Sequence, residues 1–167
     1  IFFTEDSNRA RWHGEAFPLV VDWIYPTLTA ADKQLIRSVF LRWSQEIVER
    51  GYHHPEPVGV VNDPALLSDR SQVRWSGNNY FTAHMRNLGM MALALDASDD
   101  ANQQLQTYLN TAVGAHLYIF DHLTRTDSRG GLLPEGLEYS PQTLGYVTQF
   151  LLSLHTAGAS YPPSSTL

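Results

Sequence analysis

Apolar residues recur along most of this chain at spacings of three and four. Leu35, Ile36, Val39, Phe40, Trp43 and Ile47 form the clearest stripe, the signature of an amphipathic helix with one buried face. Thr29-Ala30-Ala31-Asp32 precedes it as a capping box with Asp in the Glu position, and Gly51 closes it. From Tyr80 to Leu95 the apolar side chains Met85, Leu88, Met90, Met91, Leu93 and Leu95 surround the axis, predicting a helix buried on most sides. A further long helix is predicted over Ala101 to Thr124, with Leu105, Leu109, Val113, Leu117, Phe120 and Leu123 as its core positions. The last runs from Pro141 to His155 through Leu144, Val147, Phe150, Leu151 and Leu154, and Gly158 ends it. Ser140 is its expected N-cap, with Pro141 in the first helical position, where no N–H is left unpaired. Ala16 to Tyr25 reads as a shorter helix with Pro18 in its first turn.

No pair of strands emerges. The pattern predicts a single all-α domain over residues 1–167, with 1–14 and 159–167 extended or frayed. Sequential helices joined by unequal loops suggest stacked antiparallel hairpins forming part of an (α/α) toroid rather than a closed four-helix bundle. No internal repeat with recognisable identities accompanies them.

Two polar stretches interrupt this pattern just ahead of helices. One is Arg74-Trp75-Ser76-Gly77-Asn78-Asn79-Tyr80; the other is the turn from Gly130 through Pro134 to Glu135, Glu138 and Tyr139. If they lie at the same end of neighbouring helices, they face one cleft. Asn79 is also an N-cap candidate for the helix beginning near Tyr80. Tyr52 to Ser76, with Pro55, Pro57 and Pro64, reads as a long functional or covering loop. The adjacent His53 and His54 have no second cluster and read as surface residues. His116 and His122, six apart, do not share a helix face and read as core or boundary residues.

Composition narrows the classes. Of 167 residues, 43% are hydrophobic and 17% charged, as in a globular chain with a real core, and no apolar run reaches a membrane span. The absence of cysteine removes disulfides, thiolate catalysis and cysteine zinc sites. A net charge of −6, with 11 Lys and Arg in no run, argues against a nucleic-acid partner, although Arg70, Arg74 and Arg86 gather around the first polar stretch. The start IFFTEDSNRARW has neither an initiator Met nor a secretory pattern, and reads as a processed chain or a piece of a longer one.

Three segments together resemble the toroid domain of the heparinase II/III-like polysaccharide lyases. They are Val21-Asp22-Trp23-Ile24-Tyr25 with Leu28-Thr29, Asn78-Asn79-Tyr80 leading into Ala92-Leu93-Ala94-Leu95, and Glu135-Gly136-Leu137-Glu138-Tyr139. The resemblance spans about Ala16 to Gly158. It implies a partial toroid from a periplasmic or secreted protein that cleaves uronate-containing glycans by β-elimination without a cofactor or metal. Family members have a toroid about twice this long plus a β-sandwich, and a third catalytic group, usually a histidine, that no residue here matches. The apolar faces of such an open arc imply self-association or a missing C-terminal part.

A uronate lyase neutralises the sugar carboxylate, removes the adjacent proton and protonates the departing oxygen. The resemblance implies Asn79 as the donor to the carboxylate and Tyr139 as acid or base. Arg74 and Arg86 are candidates for lowering the Tyr139 pKa or binding the carboxylate. Trp75 and Tyr80 are candidates for stacking on an acidic polysaccharide or oligosaccharide, and Glu135 for ordering its loop by accepting N–H bonds. Two other classes compete. A toroidal glycoside hydrolase needs two carboxyl groups flanking a bond, with Glu135, Glu138 and Asp69 as candidates; a non-catalytic helical domain would bind carbohydrate or protein.

Overall fold

In the computed structural model, which describes residues 7–50 and 59–158, the chain is helical, with no strand among the described residues. Helix α1 spans Ser7–Ile24, so it begins well before Ala16 and takes in most of the stretch expected to be frayed. Its inward stripe is Arg11, Gly14, Pro18 and Val21, a mixture of charge, glycine and proline that hydrophobic periodicity does not flag. Pro18 therefore lies inside the helix, where it removes one backbone hydrogen bond, rather than in its first turn.

The capping box before α2 (Ala30–Arg50) forms as expected. Asp32 Oδ2 accepts from the Thr29 N–H at 2.9 Å, and Thr29 Oγ1 accepts from the Asp32 N–H at 3.2 Å. The hydroxyl of Thr29 also donates to that carboxylate, chiefly holding the Asp32 pKa below its ordinary value. Phe40, Trp43 and Ile47 are buried, but Leu35 is 66% exposed and Val39 also faces outward. The buried face is narrower than the stripe, with Ser44 completing it.

The long loop expected over Tyr52 to Ser76 is only partly a loop. Residues 51–58, including His53, His54 and Gly51, lie outside the described residues. Beyond them Pro64–Leu67 forms a 3-10 turn and Arg70–Trp75 the short helix α3. Each is started by an aspartate: Asp63 accepts from the Ala65 N–H, and Asp69 from those of Ser71 and Gln72.

Helix α4 (Asn79–Leu93) is buried nearly all round, as its sequence predicts. Its N-cap is Asn78, not Asn79: Asn78 Oδ1 accepts from the N–H groups of Tyr80 at 3.0 Å and Phe81 at 3.2 Å. The helix expected over Ala101 to Thr124 divides into α5 (Gln104–Tyr108), a π-helical turn (Leu109–Val113) and α6 (Gly114–Arg125). All six of its expected core residues are buried. Helix α7 spans Gly136–Thr156, starting ahead of the expected Ser140-Pro141. Gly136 supplies the positive φ of 80° at its entry. Ser140 instead ties the start down from inside, its Oγ donating to the Gly136 carbonyl at 2.6 Å and accepting from the Leu133 N–H at 3.1 Å. Glu138 and Tyr139 are thus in the first turns of a helix, not in a loop.

Helix α4 packs against α1 on one flank and α7 on the other. Side chains near the starts of the three are joined, Arg11 to Asn79 and Asn79 to Glu135. Their middles are joined through Glu15, Arg86 and Gln149. Toward their ends Leu19, Asp22, Met90, Leu93, Ser153 and Thr156 share the walls of a cavity of about 300 Å³. The three helices therefore run parallel and nearly in register. Helices α2 and α5 pack together, Arg37 bonding Asp100 and Gln104, and α6 returns antiparallel to α4, with His116 edge-on to Phe81.

Both flanks of α4 depend on a glycine. A Cβ on Gly14 would lie 2.1 Å from Asn87 Nδ2, and one on Gly89 would lie 2.0 Å from Cε2 of the buried Phe150 ring. Gly89→Ala should destabilise the fold by about 2 kcal/mol, overpacking outweighing the gain in helix propensity. Gly145→Ala in α7, where a Cβ meets nothing within 4 Å, should stabilise it by up to about 1 kcal/mol. Urea denaturation of the two variants checks the contrast, and equal behaviour would show that α4 and α7 are not in close contact.

Outside this packing, Trp12, Val20 and Trp23 of α1 and Leu137, Leu144 and Leu152 of α7 are exposed. Leu144 is thus not the core residue its spacing suggests. Among the described residues no helix is long and apolar enough to cross a membrane.

Candidate functional site

The two polar stretches meet, and Glu135 is where they join. Its Oε1 accepts from Asn78 Nδ2 at 2.8 Å and Asn79 Nδ2 at 3.1 Å, while Oε2 accepts from the Asn79 backbone N–H and from Thr143 Oγ1 at 3.4 Å. Four donors saturate the carboxylate, one of them an N–H at the start of α4 that has no partner within its own helix. The negative charge also sits favourably at that helix N-terminus. Glu135 thus orders the junction, as its position before the Gly136 turn suggests.

Asn79 is only 2% exposed. Its Oδ1 accepts from Arg11 NH1 and its Nδ2 donates to Glu135, so its amide is held inside the junction. The Arg11 guanidinium lies 3.9 Å from the centre of the Tyr80 ring, near enough for a cation–π contact. Tyr80 is half-buried beneath it rather than presented as a free stacking face.

Deeper between α1, α4 and α7 lies Arg86, 1% exposed. Its five N–H groups all find acceptors: Nε and NH2 bond Asn87 Oδ1, NH1 bonds Glu15 Oε2 at 2.7 Å and Gln149 Oε1 at 2.9 Å, and NH2 bonds the Arg11 carbonyl at 3.0 Å. The Tyr146 ring centre is 4.5 Å from the guanidinium carbon. Burial lowers the Arg86 pKa, and Glu15 opposes that shift. Arg86 is therefore a structural tie, not a substrate-facing arginine.

Beside the junction a cleft of about 350 Å³ opens between α3 and the loop before α7, lined by Ser71, Arg74, Trp75, Asn78, Pro134 and Glu135. Arg74 and Trp75 are both partly exposed there. Arg74 NH1 donates to Asp127 Oδ2 at 3.2 Å, and Arg70 Nε donates to the same oxygen at 3.1 Å. Hydrogen bonding from Arg70, aided by Arg74, holds the Asp127 carboxyl below its ordinary pKa.

Of the expected site residues, Arg74, Trp75 and Glu135 share this cleft, and Asn79 touches it through Glu135. Tyr139 stands one helical turn after Glu135 with 44% of its surface exposed. Glu138 is exposed and not in the cleft wall, and Asp69 is occupied in capping α3. Arg11, Glu15, Asn87, Gln149 and Asp127 escaped sequence reading. Only Asn78 carried a usable signal there, as the residue before a helix start.

His116 is a buried core histidine, as its sequence position suggests. Its Nε2 lies 3.0 Å from the Ser76 carbonyl oxygen, to which it donates in the matching tautomer. No group of three or more His, Asp or Glu with metal-binding geometry occurs among the described residues. Comparison with protein-family models, curated proteins and solved structures returned no match.

Proposed function

We propose that this chain forms part of an (α/α) toroid of polysaccharide-lyase type that binds uronate-containing glycans and cleaves them by β-elimination. The observation that carries the reading is the Glu135 junction, which brings the N-N-Y and E-G-x-x-Y stretches to one end of parallel helices beside an open polar cleft. Three parallel helices with α2 and α5–α6 packed behind them also fit an arc of stacked hairpins. In a complete toroid, the exposed apolar faces of α1 and α7 would lie against further helices.

In this reading Arg74 meets the sugar carboxylate and Trp75 offers a face to the ring. Asn79 and Glu135 fix the junction. Tyr139 transfers the proton: as the C–H beside the carboxylate loses its proton, the C4–O bond breaks, a C4–C5 double bond forms and the leaving oxygen is protonated. A hydrolase reading is less favoured because Glu135 is saturated and Asp69 caps a helix. No two free carboxyl groups face each other there among the described residues.

Incubation with a defined oligogalacturonate, followed by ultraviolet absorbance, tests the reaction. A lyase generates an unsaturated uronate. Tyr139→Phe should then lower turnover by about 100-fold or more, with the thermal melt unchanged because the hydroxyl makes no protein hydrogen bond among the described residues. Release of saturated reducing ends would replace this reading with hydrolysis. Binding without any bond cleavage would replace it with a carbohydrate-binding role.

A further inference from the structure

We infer that Arg74 reads the carboxylate of an acidic sugar in the α3–α7 cleft, with Asp127 as the positioning residue that aims it. This inference rests on the glycan-binding reading and specifies how the cleft separates acidic from neutral ligands.

Arg74 ends α3, and its side chain is 49% exposed against 22% for Asp127. Its NH1 is committed to Asp127. Its Nε and second terminal nitrogen have no protein partner among the described residues, which leaves the side-on pair of donors that matches a carboxylate. Arg70 closes the other side of Asp127 through Nε at 3.1 Å and NH2 at 3.4 Å. Two arginines thus share one carboxylate, and the group keeps one positive charge in excess.

The other lining residues fit an acidic sugar. Trp75 is 36% exposed and supplies an aromatic surface next to the charge, and Ser71 contributes a hydroxyl at the wall. Glu135 is the opposing charge, but its four donors and the α4 N-terminus already compensate it. The excess charge of the Arg70–Asp127–Arg74 group therefore decides which ligands the cleft prefers. Its elements are separate from one another in sequence: Asp127 lies beyond the end of α6, so the aim of Arg74 depends on the α3–α6 contact.

Calorimetric titration with a galacturonate hexasaccharide and with its fully methyl-esterified form tests this. Wild type should bind the acid about tenfold more tightly than the ester, the size expected of one partly exposed charge-assisted contact. Arg74→Gln should bring the two affinities near parity by weakening the acid alone, and Arg74→Lys should recover part of the difference. Asp127→Asn leaves both arginines and adds net positive charge, yet the lost aim should lower the acid-to-ester ratio several-fold. A rise in that ratio would make Asp127 a competitor for Arg74 and overturn its positioning role. Wild-type binding to both ligands that Arg74→Gln leaves unchanged would overturn the inference while the glycan reading stands. Wild-type binding to neither would overturn both.

Discussion

Replacing Arg86 by leucine should cost the fold about 3 to 5 kcal/mol, the range for breaking a buried ion pair from one side. Leucine fills much of the space but returns none of the five hydrogen bonds that Arg86 makes to Glu15, Asn87, Gln149 and the Arg11 carbonyl. Asn87 is fully buried, and its carbonyl oxygen loses both Arg86 donors at a depth water does not reach. Glu15 keeps 31% of its side chain exposed and can rehydrate in that variant, whereas Glu15→Gln leaves the 1% exposed Arg86 guanidinium without its carboxylate and should itself cost about 3 kcal/mol. Urea unfolding followed by circular dichroism measures both. An Arg86→Leu variant as stable as the wild type would mean that the α1–α4–α7 layer is held by apolar contacts alone.

The second large effect is expected in acid. Burial brings the His116 pKa down to about 4, only partly opposed by its bond to Ser76, against about 6.5 in the unfolded chain. Between those values the unfolded chain takes up a proton that the folded one refuses. Stability should therefore fall as pH drops from 6.5 to 4, and this contribution should level off below 4. At 1.36 kcal/mol per pKa unit the full loss is about 3 kcal/mol. His116→Gln retains an N–H for the Ser76 carbonyl but does not titrate. The difference between wild-type and variant unfolding free energies should shift by about 3 kcal/mol across that window. A constant difference would place His116 in contact with water.

How much of this was legible in the sequence follows from the type of interaction. The capping box at Thr29 and the core positions from Leu105 to Leu123 depend on neighbours within one helix, and both were readable. The inward face of α1 was not, because Gly14 is inward for its lack of a side chain and Arg11 for an acceptor sixty-eight residues away on Asn79. Ser140-Pro141 carries a proper helix-start signal, but Gly136 and the Leu133 N–H allow the helix to begin a turn earlier. At the site, the meeting of the two polar stretches was legible from their places before helices. The burial of Asn79 and Arg86 was not, since polar side chains reveal their depth only through partners distant in the chain.

The π turn at Leu109–Val113 frees the Thr111 carbonyl to accept from the Gly59 N–H at 3.2 Å. Such a turn is equivalent to one residue inserted into an α-helix, and it rotates everything beyond it by about 100° relative to a continuous helix. Leu105 before the turn and Leu109 and Val113 within it enter the larger apolar cluster with α2 and α4, as Leu117 does one turn on; beyond that, Ile119, Phe120 and Leu123 enter the smaller one with Val73 and Leu133. An evolutionary deletion of a single residue here would yield a more regular helix and a worse protein. It would swing His116 away from Ser76, exchange the faces offered to the two clusters and sever the tether to Gly59.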